Sequence, residues 1–184
     1  MTPKLLSLCS STLFLASLCV ASGAETQWRH LSSKQRDLPA PNVGKQQTSA
    51  TVFDVDGDKT NDFVVTERTT APAVVGFHRI ATGWERFVIE PGQLRPEAGA
   101  TSHDVDGDGD LDFVAGGDGQ SNHIWWWENP GGALATKQPW KRHLIKDSGA
   151  NKRHDLIFGD LDILGKPYNW ESPRLDIWLN EGSK

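Results

Sequence analysis

The stretch His103–Gly117, HDVDGDGDLDFVAGG, sets aspartates at positions 104, 106, 108, 110 and 112 and glycines at 107 and 109. Oxygen-bearing side chains on alternate residues suit a hard cation, and calcium takes roughly six to eight oxygens with flexible geometry. The candidate ligands are Asp104, Asp106, Asp108 and Asp112, with the backbone carbonyl of Asp110. Glycines at 107 and 109 let the backbone turn tightly around an ion. A helix-flanked calcium hand carries a bidentate glutamate at about its twelfth position. Counting from Asp104 lands on Ala115, and the run that Asp112 opens, DFVAG, favours a β-strand over a helix. The pattern therefore reads as a calcium loop in a turn between two strands.

The same pattern occurs earlier. TSATVFDVDGDKTNDFVV begins at Thr48, and Asp54 precedes Asp104 by 50 residues. Its candidate ligands are Asp54, Asp56, Asp58 and Asp62, with the Thr60 carbonyl, and its twelfth position is Val65. Lys59 stands where the second loop has Gly109. A weaker third copy, HDLIFGDLDILG, keeps Asp160 and Asp162 and then runs through ILGKPYNWESPR before Leu175 and Asp176. This third site is expected to be empty or weak. Four carboxylates within nine residues repel one another without a cation, and here that happens twice in one register.

A second periodicity runs through the tryptophans. WRHL at Trp28, WERFVI at Trp84 and WKRHLI at Trp140 are spaced by 56 residues. Repetition at this period marks a propeller or a related array. Between the loops lie short strand-like runs: DFVVT at Asp62, AVVGFHRI at Ala73, LDFVAG at Leu111, NHIWWWEN at Asn122 and LDIWLN at Leu175. Gly and Pro punctuate the joins, and no long window after residue 24 shows a helical apolar face. The expected fold is all-β, built of β-propeller blades of about four strands. The units are placed around 48–98, 99–152 and 153–184, with 27–32 as an orphan outer strand that could complete the third.

The D-x-D-G-D-G-x-x-D pattern, followed by an apolar pair and recurring at blade length, resembles the FG-GAP/VCBS repeat family. WWWENPGG and WKRHLI also resemble its bacterial exported members. The resemblance implies propeller blades similar to those in the ligand-binding head of integrin alpha chains, with Ca2+ bound in the loops. Lys59 departs from the glycine preferred there.

Residues 1–24 read as a secretory signal peptide. Lys4 opens it, Leu5–Val20 is mostly apolar, and ASGA supplies small residues before cleavage after Ala24. The stretch is short for a membrane span, and no transmembrane span is expected in the mature chain. Secretion, or delivery to the periplasm or cell surface, is the expected localisation. Cys9 and Cys19 both fall in this leader, so the mature chain has no cysteine for a disulfide, and bound metal is the obvious substitute. Removing the leader leaves 18 basic against 24 acidic residues, a net charge of −6. There is no basic stripe of the kind nucleic acid requires.

A propeller needs about four to eight blades to close. Two full units and a partial third match either part of a longer propeller, which is favoured, or two chains pairing as a homodimer into six blades. No catalytic residue is assigned: the histidines lack spaced partners, and no nucleophile or phosphate-loop motif occurs. In a strand Trp125 and Trp127 share one face and Trp126 takes the other, which suits packing between blades. Tyr168 and Trp170, on the third-unit insertion, are the candidate ligand-binding aromatics. The expected function is an exported, calcium-stabilised module that binds a protein or polysaccharide without catalysis, as in adhesion. The alternative is a fragment of a propeller-based carbohydrate-active enzyme of lyase or dehydratase type.

Overall fold

The computed structural model describes residues 27–149, 153–159, 162–167 and 176–178. Eleven strands carry the chain: β1 (Gln47–Phe53), β2 (Asp62–Glu67), β3 (Val74–Ile80), β4 (Gly83–Glu90), β5 (Pro96–His103), β6 (Asp112–Gly117), β7 (Ile124–Glu128), β8 (Lys141–Lys146), β9 (Arg153–Gly159), β10 (Asp162–Pro167) and β11 (Asp176–Trp178). A 3-10 turn at Gly132–Leu134 is the sole helical element among the described residues, and none of their helices could cross a membrane. The chain divides into Met1–His30 and Leu31–Lys184, and all the strands belong to the second unit.

The strands form antiparallel sheets in simple sequential order, β1-β2-β3-β4, β5-β6-β7-β8 and β11-β10-β9. None of the three closes on itself. The first strands of the three sheets are neighbours: β1 packs beside β5, and β5 beside β9.

Period-two alternation decides how the sheets stack. Phe53, Val64, Val74, Phe87 and Ile89 of the first sheet meet Phe113, Ala115, Trp125, Trp127 and Trp140 in one buried cluster. Val114 and Ile124, on the opposite face of the second sheet, meet Leu156 of the third, with Trp126 and Phe158 packed alongside. The triple tryptophan is therefore split between two interfaces. Trp127 is fully buried and Trp125 is 6% exposed on one side, while half-buried Trp126 stacks on His143 at 4.1 Å on the other. The Trp127 indole N–H donates to Glu90 Oε2 across the first interface (3.3 Å). Gly76 lies opposite Phe87, whose ring fills the space where a Cβ would sit.

Two expectations change. Residues 27–32 form no strand, and Trp28 is 93% exposed. The third repeat also folds differently from its expected long loop. Only residues 160 and 161 join β9 to β10, with Gly159 opposite Asp162, where eight residues separate the paired Phe53 and Asp62. This pairing draws Ile163–Pro167, expected in an insertion, into β10. Asp176–Trp178 thereby becomes the third strand of its sheet rather than the second. Asp160, Tyr168, Trp170 and the leader lie outside the described residues.

Burial at the tryptophans sets a graded cost of truncation. Trp127→Ala removes the largest side chain buried between the first two sheets and one hydrogen-bond partner of Glu90. It is expected to cost about 3–5 kcal/mol in urea unfolding. Trp126→Ala, at a half-buried position, is expected to cost clearly less.

Candidate metal centre

The two aspartate loops connect β1 to β2 and β5 to β6, and they are built alike bond for bond. In the first, the Gly57 and Lys59 amides donate to the two oxygens of Asp54 (2.9 and 2.8 Å). In the second, Gly107 and Gly109 donate to those of Asp104 (2.8 and 3.0 Å). Asp56 accepts from the Asp58 amide and Asp106 from that of Asp108, both at 3.3 Å. The Thr60 amide donates to Asp58 (2.7 Å) and that of Asp110 to Asp108 (2.9 Å), which places both predicted carbonyl ligands at the same point of the turn. Asp62 and Asp112 close the necks, accepting from Val55 (3.2 Å) and Val105 (2.9 Å) through one oxygen. Through the other oxygen they accept from the Arg79 amide of β3 and from the Asn129 amide just past β7, each at 2.7 Å.

Backbone conformation explains the residue types. Gly57, Gly107 and Gly109 all have φ between 77° and 99°, where a side chain is disfavoured. Lys59 takes the place of Gly109 at φ 70°, a strained position for a lysine.

Electrostatically the loops are acid-rich and half open. Candidate ligand atoms of Asp54, Asp56 and Asp58 lie within 4.8 Å of one another, as do those of Asp104, Asp106 and Asp108. A calcium ion sits about 2.3–2.6 Å from each oxygen, so oxygens on opposite sides of one ion stand about 5 Å apart. The spread fits a single calcium ion, and the all-oxygen set suits it chemically. Asp62 and Asp112 are each 1% exposed. Burial pushes the Asp112 carboxyl up to about 7, against the opposing pull of the Asn129 and Val105 amides, and the charges of Asp106 and Asp108 push it further. Burial likewise raises Asp62. Asp110 is raised by desolvation and by the charges of Asp108, Asp104 and Asp106.

Of the predicted residues, the structure brings Asp54, Asp56 and Asp58 together, and Asp104, Asp106 and Asp108 together. It gives Asp62 and Asp112 the neck of each loop. Sequence reasoning missed Asn129. This buried side chain donates from Nδ2 to the Val55 carbonyl of the first loop (2.8 Å) and the Leu111 carbonyl of the second (3.0 Å). One amide group thus ties the two loops together. Its signal in the sequence was the ENPGG turn, which reads only as a chain reversal.

Three of the histidines are engaged in packing and pairing. His143 Nε2 lies 2.7 Å from Glu128, His123 Nδ1 lies 3.1 Å from Ser121 Oγ, and His103 stacks on Phe158.

Stability should respond to both the shared asparagine and the left-handed lysine. Asn129→Leu leaves the buried Val55 carbonyl and the part-buried Leu111 carbonyl without their donor and is expected to cost about 2–4 kcal/mol in urea unfolding. Lys59→Gly relieves the left-handed lysine. It is expected to raise stability by about 0.5–1 kcal/mol, since the gain in conformational fit exceeds glycine's unfolded-state entropy. An unchanged or lower midpoint for Lys59→Gly would contradict the strain assigned to that position.

Comparison with known proteins adds one match. Residues 104–163 match the family model for an FG-GAP-like repeat. The matched span starts at the first aspartate of the second loop and ends within β10, so it covers that loop and β6 to β9. No curated protein and no solved structure matches the chain. The first loop lies outside the matched span yet repeats the hydrogen bonds of the second. The match over residues 104–163 is consistent with the FG-GAP-like repeat family that the aspartate loops resemble.

Proposed function

We propose that this protein is an exported, calcium-stabilised, propeller-type repeat module that recognises a protein or a polysaccharide without catalysing a reaction on it. The observation that carries this reading is the duplicated loop. Two turns separated by 50 residues fold into the same cage of aspartates, each wrapped by its own amides and each pinned to the next strand by a buried carboxylate.

The chemistry supports a structural task for the ion. No cysteine is present after residue 24, so disulfides cannot hold the sheet ends of a mature chain together. The loops join the first strand of each of the first two sheets to the second, where clustered negative charge would otherwise push the turn apart. Calcium supplies the balancing charge. The chain's own residues then hold the loop neck through Asp62 and Asp112 and join loop to loop through Asn129. A rigid stack of sheets of this kind suits recognition by surface loops. The paired histidines, tied to Glu128 or Ser121 or stacked on aromatic rings, support binding over turnover.

Chelation of calcium is expected to lower the melting temperature of the protein and readdition to restore it. The double variant Asp104→Ala, Asp108→Ala is expected to lose most of the second loop's share of that response. A melt that does not move on chelation would sink the calcium assignment.

A further inference from the structure

The two loops match in their aspartates but not in what the neighbouring strand brings to them. On β3, His78 lies beside Phe77, which pairs with Phe63, so His78 faces the neck residue Asp62. The equivalent position on β7 is Glu128, next to Trp127, which pairs with Phe113. Glu128 is turned to Lys141 Nζ (2.9 Å) and His143 Nε2 (2.7 Å). His78 is turned to the first loop instead. Its Nδ1 stands 3.3 Å from Asp62 Oδ1 and 3.5 Å from Asp56 Oδ2. That nitrogen is shielded from solvent and has no hydrogen-bond partner, although both carboxylates are close. The His78 and Asp56 side chains are each 16% exposed, and that of Asp62 is fully buried.

We propose that the first loop, besides accepting calcium, offers a mixed nitrogen–oxygen site for a borderline divalent cation of the zinc or cobalt kind, held by His78 Nδ1, Asp56 and Asp62, whereas the second loop, with no imidazole facing it, keeps to hard cations. The proposal rests on the reading of the loops as cation sites and separates the two in selectivity.

Three observations support it. Candidate ligand atoms of Asp56, Asp62 and His78 lie within 4.8 Å of one another. A tetrahedral ion about 2.0–2.1 Å from each ligand separates neighbouring ligand atoms by about 3.4 Å, close to the two nitrogen–oxygen distances found here. Imidazole nitrogen raises affinity for borderline transition metals over calcium, which prefers oxygen alone. The outer contacts of a metal ligand are also in place: the Arg79 and Val55 amides hold the Asp62 oxygens, fixing their orientation. An unpartnered buried nitrogen is costly unless something fills the space it faces, and a cation between it and two carboxylates does so.

The test is a Co2+ titration of the metal-stripped full chain, read by visible absorption. The expected result is a band at one equivalent that excess Ca2+ does not remove and that persists in Asp104→Asn, Asp108→Asn. His78→Gln is expected to weaken Co2+ binding about tenfold or more while keeping the calcium-dependent melt of the second loop. Unchanged Co2+ affinity in His78→Gln, or a band lost in the second-loop variant instead, overturns the proposal. If His78→Gln does not fold, X-ray absorption on the wild-type Zn2+ complex decides: an imidazole in the shell supports the site, and an oxygen-only shell refutes it. The two readings fail separately. Calcium response without a His78-dependent cobalt site removes this inference alone, whereas a cobalt site without any calcium response removes the calcium assignment and leaves this one.

Discussion

Negative charge crowded into a nine-residue turn governs how the remainder of this chain is arranged. The loops must hold four and five carboxylates within nine residues, and they do so by pointing their own amides at them. Asp54 and Asp104 each collect two N–H groups, and Asp62 and Asp112 collect one from the loop and one from the following strand. The closure sets the strand pairing, Phe53 opposite Asp62 and His103 opposite Asp112. Register in turn decides which face every later side chain occupies, because a slip of one residue turns a strand inside out. The loops therefore act on the core from a distance.

Given that register, the stacking of sheets follows from volume. The first interface is aromatic-rich, and bulk on one strand is matched by its absence on another, as where the Phe87 ring lies over Gly76. Close approach of backbones governs the second. A Cβ on Gly99 would meet the Asp155 backbone at 2.1 Å, so β5 and β9 can lie together only because this residue has no side chain. The two aspartate loops sit at the same end of neighbouring sheets, near enough for one asparagine side chain to reach carbonyls of both.

The repeats share a plan without sharing every part. The third repeat keeps the strand pairing but sets Gly159 opposite Asp162, where the first two repeats have eight residues between the paired ends. The first and second loops share their aspartates and differ in the residue across the ladder, His78 against Glu128. Such differences arise because a repeat's scaffold is set by backbone pairing, while the chemistry at its rim depends on single side chains from adjacent strands.

Local structure was legible in the order of residues alone. Alternating aspartates and positive-φ glycines specified two strand-to-strand loops, and the apolar runs after Asp62 and Asp112 specified the strands that they open. The spacing of Trp125, Trp126 and Trp127 specified which tryptophans share a face. These features depend on residues within a few positions of one another. Contacts between residues far apart in the chain were settled by the packing of strands and sheets. Asn129 reaches Val55 across 74 residues, and no local pattern announces that bond. His78 meets Asp56 and Asp62 only because β3 pairs beside β2, so its place in the first loop is a property of the sheet and not of any motif. The third repeat was misread for the same reason: its composition suggests a long loop, but strand pairing of Ile163 to Phe158 outweighs the two remaining aspartates.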